Sequence, residues 1–207
     1  MTTADFERIV EPLITPIHKV ALVPVRNLHG DDPEVLLVQV KAKNPGQQDQ
    51  VDFGLIKGTR QYRDPADGIM KDARTEKLAR AYREHLEPLQ ETLFQEADTE
   101  AGIPRAALER SRLYDAGTQL FVSRKTTEWS EIQCYAFEAG AGFDHCLNPN
   151  PRDGHAVRWV PMSQLRAMED DGKTNRAYVE AAERVVHGLR DQILKPAVFL
   201  PNPQATR

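Results

Sequence analysis

Residues 87–103, EPLQETLFQEADTEAGI, constrain this chain more than any other stretch. Pro88 fixes a backbone dihedral suited to a first helical turn, and Gly102 is the residue type that most readily ends one, so the sequence predicts a helix over 88–101. Projected at about 100° per residue, Leu89, Leu93 and Ala97 form one apolar stripe, and Glu100 falls only about 20° from Leu93. Glu96 flanks the same stripe four residues earlier, whereas Glu91 and Asp98 project to the opposite side and read as surface residues. Two carboxylates leaning toward a core repel one another and need a cation or a proton to coexist. The helix therefore has to pack on apolar structure and to present both acids at the edge of that contact.

The flanking sequence supplies the packing partners. Residues 17–25 (IHKVALVPV) and 34–40 (EVLLVQV) are runs rich in β-branched residues, split by the turn-forming LHGDDP, and predict two strands. After the polar NPGQQDQ, residues 51–56 (VDFGLI) predict a third strand ending at Lys57-Gly58. Leu78, Tyr82 and Leu86 recur at helical spacing and predict a helix over 73–86, which Pro88 interrupts. Beyond the 88–101 helix, residues 118–123, 131–137 and 156–160 predict strands. A short helix is expected at 162–168, and a longer one at 175–194 with Tyr178, Ala181, Val185 and Leu189 as its apolar stripe. This order predicts an α+β fold with helices packed on a mixed sheet. The length of 207 residues suits a single domain over 1–207, and the three prolines within 196–207 predict a loose tail.

With 27 basic and 31 acidic residues the net charge is -4, which argues against a general nucleic-acid binder and requires any phosphate site to be local. No apolar run approaches the ~20 residues of a membrane span. The opening MTTADFERIVEP carries acids where a signal peptide carries positive charge, so a cytoplasmic location is expected. Cys134 and Cys146 lack metal-ligand spacing and read as reduced thiols, and the six histidines lack the HxH or HExxH spacing of a zinc site.

The 87–103 segment resembles the Nudix box: glycine, five residues, Glu, seven residues, Arg-Glu, an aliphatic residue, any residue, Glu-Glu, any residue, glycine, an aliphatic residue. Glu87 falls on the first glutamate, Glu96 on the one after the arginine, Ala97 on the aliphatic position, Glu100 on the last glutamate, and Gly102-Ile103 on the closing pair. Gln95 stands in place of the arginine, Thr99 in place of one glutamate, and Ala81 at the spacing of the leading glycine. Gly58, in GLIKG, resembles that glycine if about 59–86 is an insertion. The later WVPMSQL is similar to the family's Trp-Val-Pro followed by a short helix.

The resemblance implies a Nudix-type α/β/α sandwich with a central mixed sheet and an inserted helical segment. It implies cleavage of the pyrophosphate bond of a nucleoside diphosphate linked to another moiety, using Mg2+ with Mn2+ as an alternative. Glu96 and Glu100 would be catalytic metal ligands and the Lys57 carbonyl a further ligand, while Glu87 would orient the box. Asp153, six residues before Trp159, is the candidate general base, and Gly58 and Arg60 are the candidate substrate contacts. The other basic residues of the insertion alternate with acids and read as a solvated surface, and Trp129 and Trp159 read as packing groups. The departures at Thr99 and Gln95 leave an alternative, a Nudix-fold binding or regulatory module that has lost turnover. The expected partner is a small nucleoside diphosphate derivative, with no nucleic acid and no membrane; a homodimer stays open.

Overall fold

The structure, a computed structural model, describes residues 19–41, 51–122, 129–148 and 156–199. In chain order its elements begin with β1 (Lys19–Arg26), β2 (Glu34–Lys41), β3 (Val51–Gly54), β4 (Ile56–Thr59), β5 (Gln61–Arg63) and β6 (Met70–Asp72). Three helices follow, α1 (Glu76–Ala81), α2 (Leu89–Ala101) and α3 (Arg105–Arg110), then β7 (Tyr114–Val122), β8 (Trp129–Glu138) and β9 (Ala156–Pro161). The helices α4 (Met162–Asp170) and α5 (Arg176–Arg190) and the two-residue β10 (Lys195–Pro196) complete the order.

The strand β1 explains why its sequence is a continuous apolar run rather than an alternation. Val20 and Leu22 are fully buried under α2, while Ala21, Val23 and Val25 are fully buried under α5 on the other face. Strands covered on both sides lose the solvent-facing polar positions. β1 runs parallel to β8, from Lys19↔Ile132 to Val25↔Glu138, and antiparallel first to β4 and then to β2, so the sheet is mixed. Pairing with β4 ends at Leu22 and pairing with β2 begins at Val25. Pro24 lies between the two, where the amide it lacks faces no antiparallel partner. β2 diverges from β1 there, pairs with β3 and β9, and so opens the wedge into which β3 and β4 fit.

Helices cover both faces of this sheet, as the sequence predicts. On one side Leu93, Phe94, Ala97 and Ala101 of α2 join Ile103 and Leu108 against Leu22, Leu36, Ile56 and Phe137. On the other side Tyr178, Ala181, Ala182, Val185 and Leu189 of α5 join Leu165 and Met168 of α4. Gly102 ends α2 in the left-handed conformation at φ 62°, and a Cβ there would lie 1.8 Å from the Asn148 carbonyl oxygen. Glycine is thus required twice at that position, for its dihedral and for the approach of the 140–148 loop. Among the described residues no helix is long and apolar enough to cross a membrane.

Three features correct the sequence reading. The predicted helix over 73–86 is only the six-residue α1, capped by Thr75 and followed by a 3-10 turn at Arg83–His85. Ahead of it stands a hairpin, β5 with β6, turned by DPADG: Asp64 Oδ1 accepts from the Ala66 N–H, Asp67 Oδ1 accepts from the Ile69 N–H, and Gly68 takes φ 71°. Of that expected stripe, Tyr82 and Leu86 serve a small separate core in which Tyr62 stacks on Tyr82 at 4.1 Å and 11°, with Ala73 and Ala79 buried. Residues 196–199 of the expected loose tail are paired or packed, and 200–207 lie outside the described residues. Lys195–Pro196 pair with β7, the Ala197 N–H donates to the Leu113 carbonyl, and Phe199 packs on Phe94 and Tyr135. Finally, α3 had no place in the sequence reading, because its six residues are too short for a period to show.

Candidate active site

The site grows from the contact between α2 and the end of β4. A carboxylate on α2 reaches the strand at two places, because residues four apart on a helix stand one above the other. Glu100 Oε2 accepts a hydrogen bond from the Lys57 N–H at 2.9 Å. Within an antiparallel ladder a residue's N–H and C=O lie on the same edge, so this bond directs the Lys57 carbonyl to the edge that faces α2 rather than to its register partner Ala21. One turn earlier, Glu96 occupies the space beside Gly58. A Cβ at Gly58 would lie 2.0 Å from Glu96 Oε1 and 2.2 Å from its Cγ. Glycine is needed here to admit a carboxylate, with no unusual dihedral involved.

Electrostatics follow from this crowding. Burial, followed by the charge of Glu100, pushes the Glu96 carboxyl up to about 7, against the opposing pull of Lys57. Asp72, on the insertion, and Glu87 add to the same negative field. Burial acts to lower the Lys57 ammonium, but Tyr178, Glu100 and Glu96 outweigh it and hold the pKa above its ordinary range. That ammonium also lies 5.8 Å from the centroid of the Tyr178 ring, which stacks on Phe121 at 5.3 Å. The sequence offered Tyr178 only as part of an apolar stripe, and nothing in the spacing links α5 to a strand end more than a hundred residues earlier.

Glu87 precedes α2 and is bonded at both ends. Its N–H donates to the Gln61 carbonyl at 2.8 Å, and its Oε1 accepts from the Gln61 N–H at 3.0 Å and from the Thr92 hydroxyl at 2.7 Å. The Arg60 Nε donates to the Glu87 carbonyl at 2.7 Å. Thr92, 1% exposed, is a buried polar residue on a helix flank that the sequence did not single out. Its only signal was a hydroxyl beside the apolar stripe.

Elsewhere the assignments divide. Asp153 lies outside the described residues, as does the Trp129 side chain. Trp159 is a packing group: its Nε1 donates to Asp144 at 2.6 Å, and the Arg26 guanidinium lies 4.6 Å over its ring. In the insertion Lys71 bridges Asp64 and Asp67 at 2.7 Å each, and Arg74 reaches Asp72 at 3.2 Å. Both cysteines are unpaired thiols, and burial pushes Cys134 up to about 11. Among the described residues no three His, Cys, Asp or Glu side chains group closely enough to hold a metal. The available donors are hard oxygens only: two carboxylates and the Lys57 carbonyl. Magnesium accepts such a set, since it is commonly held by one or two carboxylates with water and substrate phosphate completing the shell.

No protein-family profile matches this sequence, and no curated protein matches it. Solved structures do match by shape. A Nudix hydrolase from Nitrosomonas europaea superposes with a TM-score of 0.52 at 11% identity, covering 87% of this chain and 93% of that one. Shewanella oneidensis NrtR complexed with a 27mer DNA superposes with a TM-score of 0.50 at 16% identity, covering 86% of this chain. The present chain spans 64% of the length of that NrtR chain and 65% of the uncomplexed one. The chain has the Nudix fold, an α+β arrangement with a mixed sheet between helices.

The close fit at Gly58 has a measurable consequence. Gly58→Ala should drive the Glu96 carboxylate out of its seat toward water, and NMR titration should then follow its pKa from about 7 back toward 4.5. An unchanged Glu96 titration in a folded Gly58→Ala protein would mean that the carboxylate does not sit against this strand.

Proposed function

We propose that this chain is a magnesium-dependent hydrolase of the pyrophosphate bond in a nucleoside diphosphate linked to a second moiety. The observation that carries the reading is the pair Glu96 and Glu100 seated against one strand end, the first in the space of a missing Cβ and the second on the Lys57 N–H. Bound there, Mg2+ (or Mn2+) would neutralise the diphosphate and acidify a water for attack on phosphorus. Glu96 and Glu100, with the Lys57 carbonyl, are the proposed ligands. The Lys57 amide keeps Glu100 from rotating away, and Glu87 holds the start of the helix on which both ligands stand. Gly58 is on the proposed substrate side, and Asp153 is the proposed base. The net charge of -4 fits a small-molecule partner better than a nucleic acid.

A second reading, a module that binds a nucleotide derivative without turning it over, is favoured by Thr99, which stands where the box supplies a further glutamate beside Glu96 and Glu100. A screen with Mg2+ that detects the released phosphate monoesters, through an added phosphatase, separates the two across nucleotide sugars, dinucleoside polyphosphates, dinucleotide cofactors and nucleoside triphosphates. Turnover that stops on chelation supports the hydrolase. Saturable binding without turnover selects the module, and neither binding nor turnover rejects both.

Thr99→Glu tests the same point from the other direction. Thr99 is half-buried on the flank of α2 that carries Glu96, three residues further along. A third carboxylate there should tighten Mg2+ by about tenfold, roughly 1.4 kcal/mol. The metal-free protein should lose stability through added repulsion. Turnover should rise in a hydrolase limited by incomplete coordination. Calorimetry showing no gain in affinity would mean that residue 99 does not face the ion.

A further inference from the structure

The lead into α2 is bonded more heavily than a helix start requires. A helix N-terminus needs acceptors for its first N–H groups, and one capping side chain commonly supplies them. Here the N-cap is Pro88, with no side-chain cap bond, and the bonds converge instead on Glu87, one residue further out. Gln61 takes both the main chain and the carboxylate of Glu87, the Thr92 hydroxyl reaches back to the same oxygen, and Arg60 donates Nε to its carbonyl. Burial lowers the Arg60 pKa, and the Glu87 carboxylate is the leading influence that opposes it, so the guanidinium and the carboxylate are electrostatic partners as well. Thr92 is fully enclosed; without Glu87 its hydroxyl would lose its partner in a dry site.

These bonds form one end of a three-point seam. Along β4 and into the start of β5 the order is Lys57, Gly58, Gln61; along the opposing segment it is Glu100, Glu96, Glu87. One contact between a strand and a rigid helix leaves the helix free to slide or roll, whereas contacts at both ends set its position along and about its axis. Near the base of the insertion Tyr62 is bridged to Leu86, beside the Gln61–Glu87 end of the seam.

We infer that Arg60 and Thr92 are positioning residues that clamp Glu87 and thereby set the register of Glu96 and Glu100 against Lys57 and Gly58. Arg60 acts on the site through Glu87 and supplies from the strand side the positive charge that the helix itself does not offer, because the exposed residue 95 is glutamine. Gln95 and Glu87 line the same cavity of about 280 Å³. The inference deepens the hydrolase reading and rests on it only where metal binding is read out.

The test uses the full chain, free of metal and then titrated with Mn2+. Amide hydrogen exchange at Gln61 and Lys57, the donors to Glu87 and Glu100, reports the two ends of the seam. Thr92→Val and Arg60→Met should each speed exchange at Gln61 by about tenfold or more and weaken Mn2+ by a similar factor, with the unfolding transition still cooperative. Thr92→Ser should restore both readouts, and Gln95→Arg added to Arg60→Met should recover most of the loss. If Arg60→Met does not fold, Arg60→Lys serves, with its charge kept and its Nε donor lost, and faster exchange at Gln61 than in the wild type is expected. Wild-type exchange and Mn2+ affinity in folded Arg60 and Thr92 variants would overturn the inference, as would failure of Thr92→Ser to restore them. A wild-type protein that binds no Mn2+ would reject the proposed function instead, and the exchange at Gln61 would still decide the clamp.

Discussion

Glu96→Gln is expected to abolish magnesium-dependent hydrolysis, by roughly a hundredfold or more, the scale on which a single transition-state electrostatic contact is lost. It should also stabilise the metal-free protein above pH 7. The sign follows from the raised carboxyl, about 7 when folded against an ordinary 4.5. Between those values the folded chain holds a proton that the unfolded chain has released, so stability falls as pH rises through this window and is level above it. The penalty at pH 8 is of order 1–3 kcal/mol, the lower end allowing for solvent screening of a partly exposed side chain. Glutamine carries no such penalty. Denaturant unfolding of both proteins at pH 5 and pH 8 should show the variant gaining at pH 8 only. At the proposed site Mg2+ would compete with this proton, so affinity should climb with pH up to about 7 and then level off. Glu100→Gln should lose activity as fully, without the same gain in stability, because Glu100 accepts from the Lys57 N–H and a charged acceptor strengthens that bond. Turnover undiminished in either variant would remove that residue from the proposed metal site.

Leu93→Ala should cost about 2–5 kcal/mol, as expected for truncating a leucine in a packed core. Leu93 is 1% exposed and lies among Leu22, Ile56 and Phe137, under the middle of the α2 contact with β1 and β4. The neighbouring side chains belong to sheet strands held on both faces, so collapse into the void is restricted and the upper half of the range applies. Chemical denaturation gives the value directly. A change under half a kcal/mol would mean that this face of α2 is not packed on the sheet. The variant should also loosen the seat of Glu96 and Glu100, so Mg2+ affinity is expected to fall with stability.

Much of this arrangement follows from local sequence. Proline at 88 and glycine at 102 bound α2 to within a residue, and the spacing of Leu89, Leu93 and Ala97 identifies its inner face and sets Glu96 and Glu100 at its rim. The apolar run of 17–25 marks β1 as a strand, and its burial on both faces appears only in the structure. These properties depend on residues a few positions apart, where helical and extended periods leave a direct imprint.

The site itself depends on distant pairs. Glu100 meets Lys57 across 43 positions and Glu87 meets Gln61 across 26, and no period connects such residues. Which oxygen faces which amide is decided by the divergence of β1 and β2, which admits β4 beside α2, and by the β5–β6 hairpin, which returns the chain to Gln61 before the helix begins. The same tertiary closure turned Tyr82 and Leu86 from a presumed helix stripe into the wall of a small core beneath Tyr62, because stacking on a ring twenty residues away outweighs the weak propensity of a six-residue helix. Sequence determined that two acids would lean inward on one helix. Packing decided that a glycine would make room for one of them and a main-chain amide would hold the other.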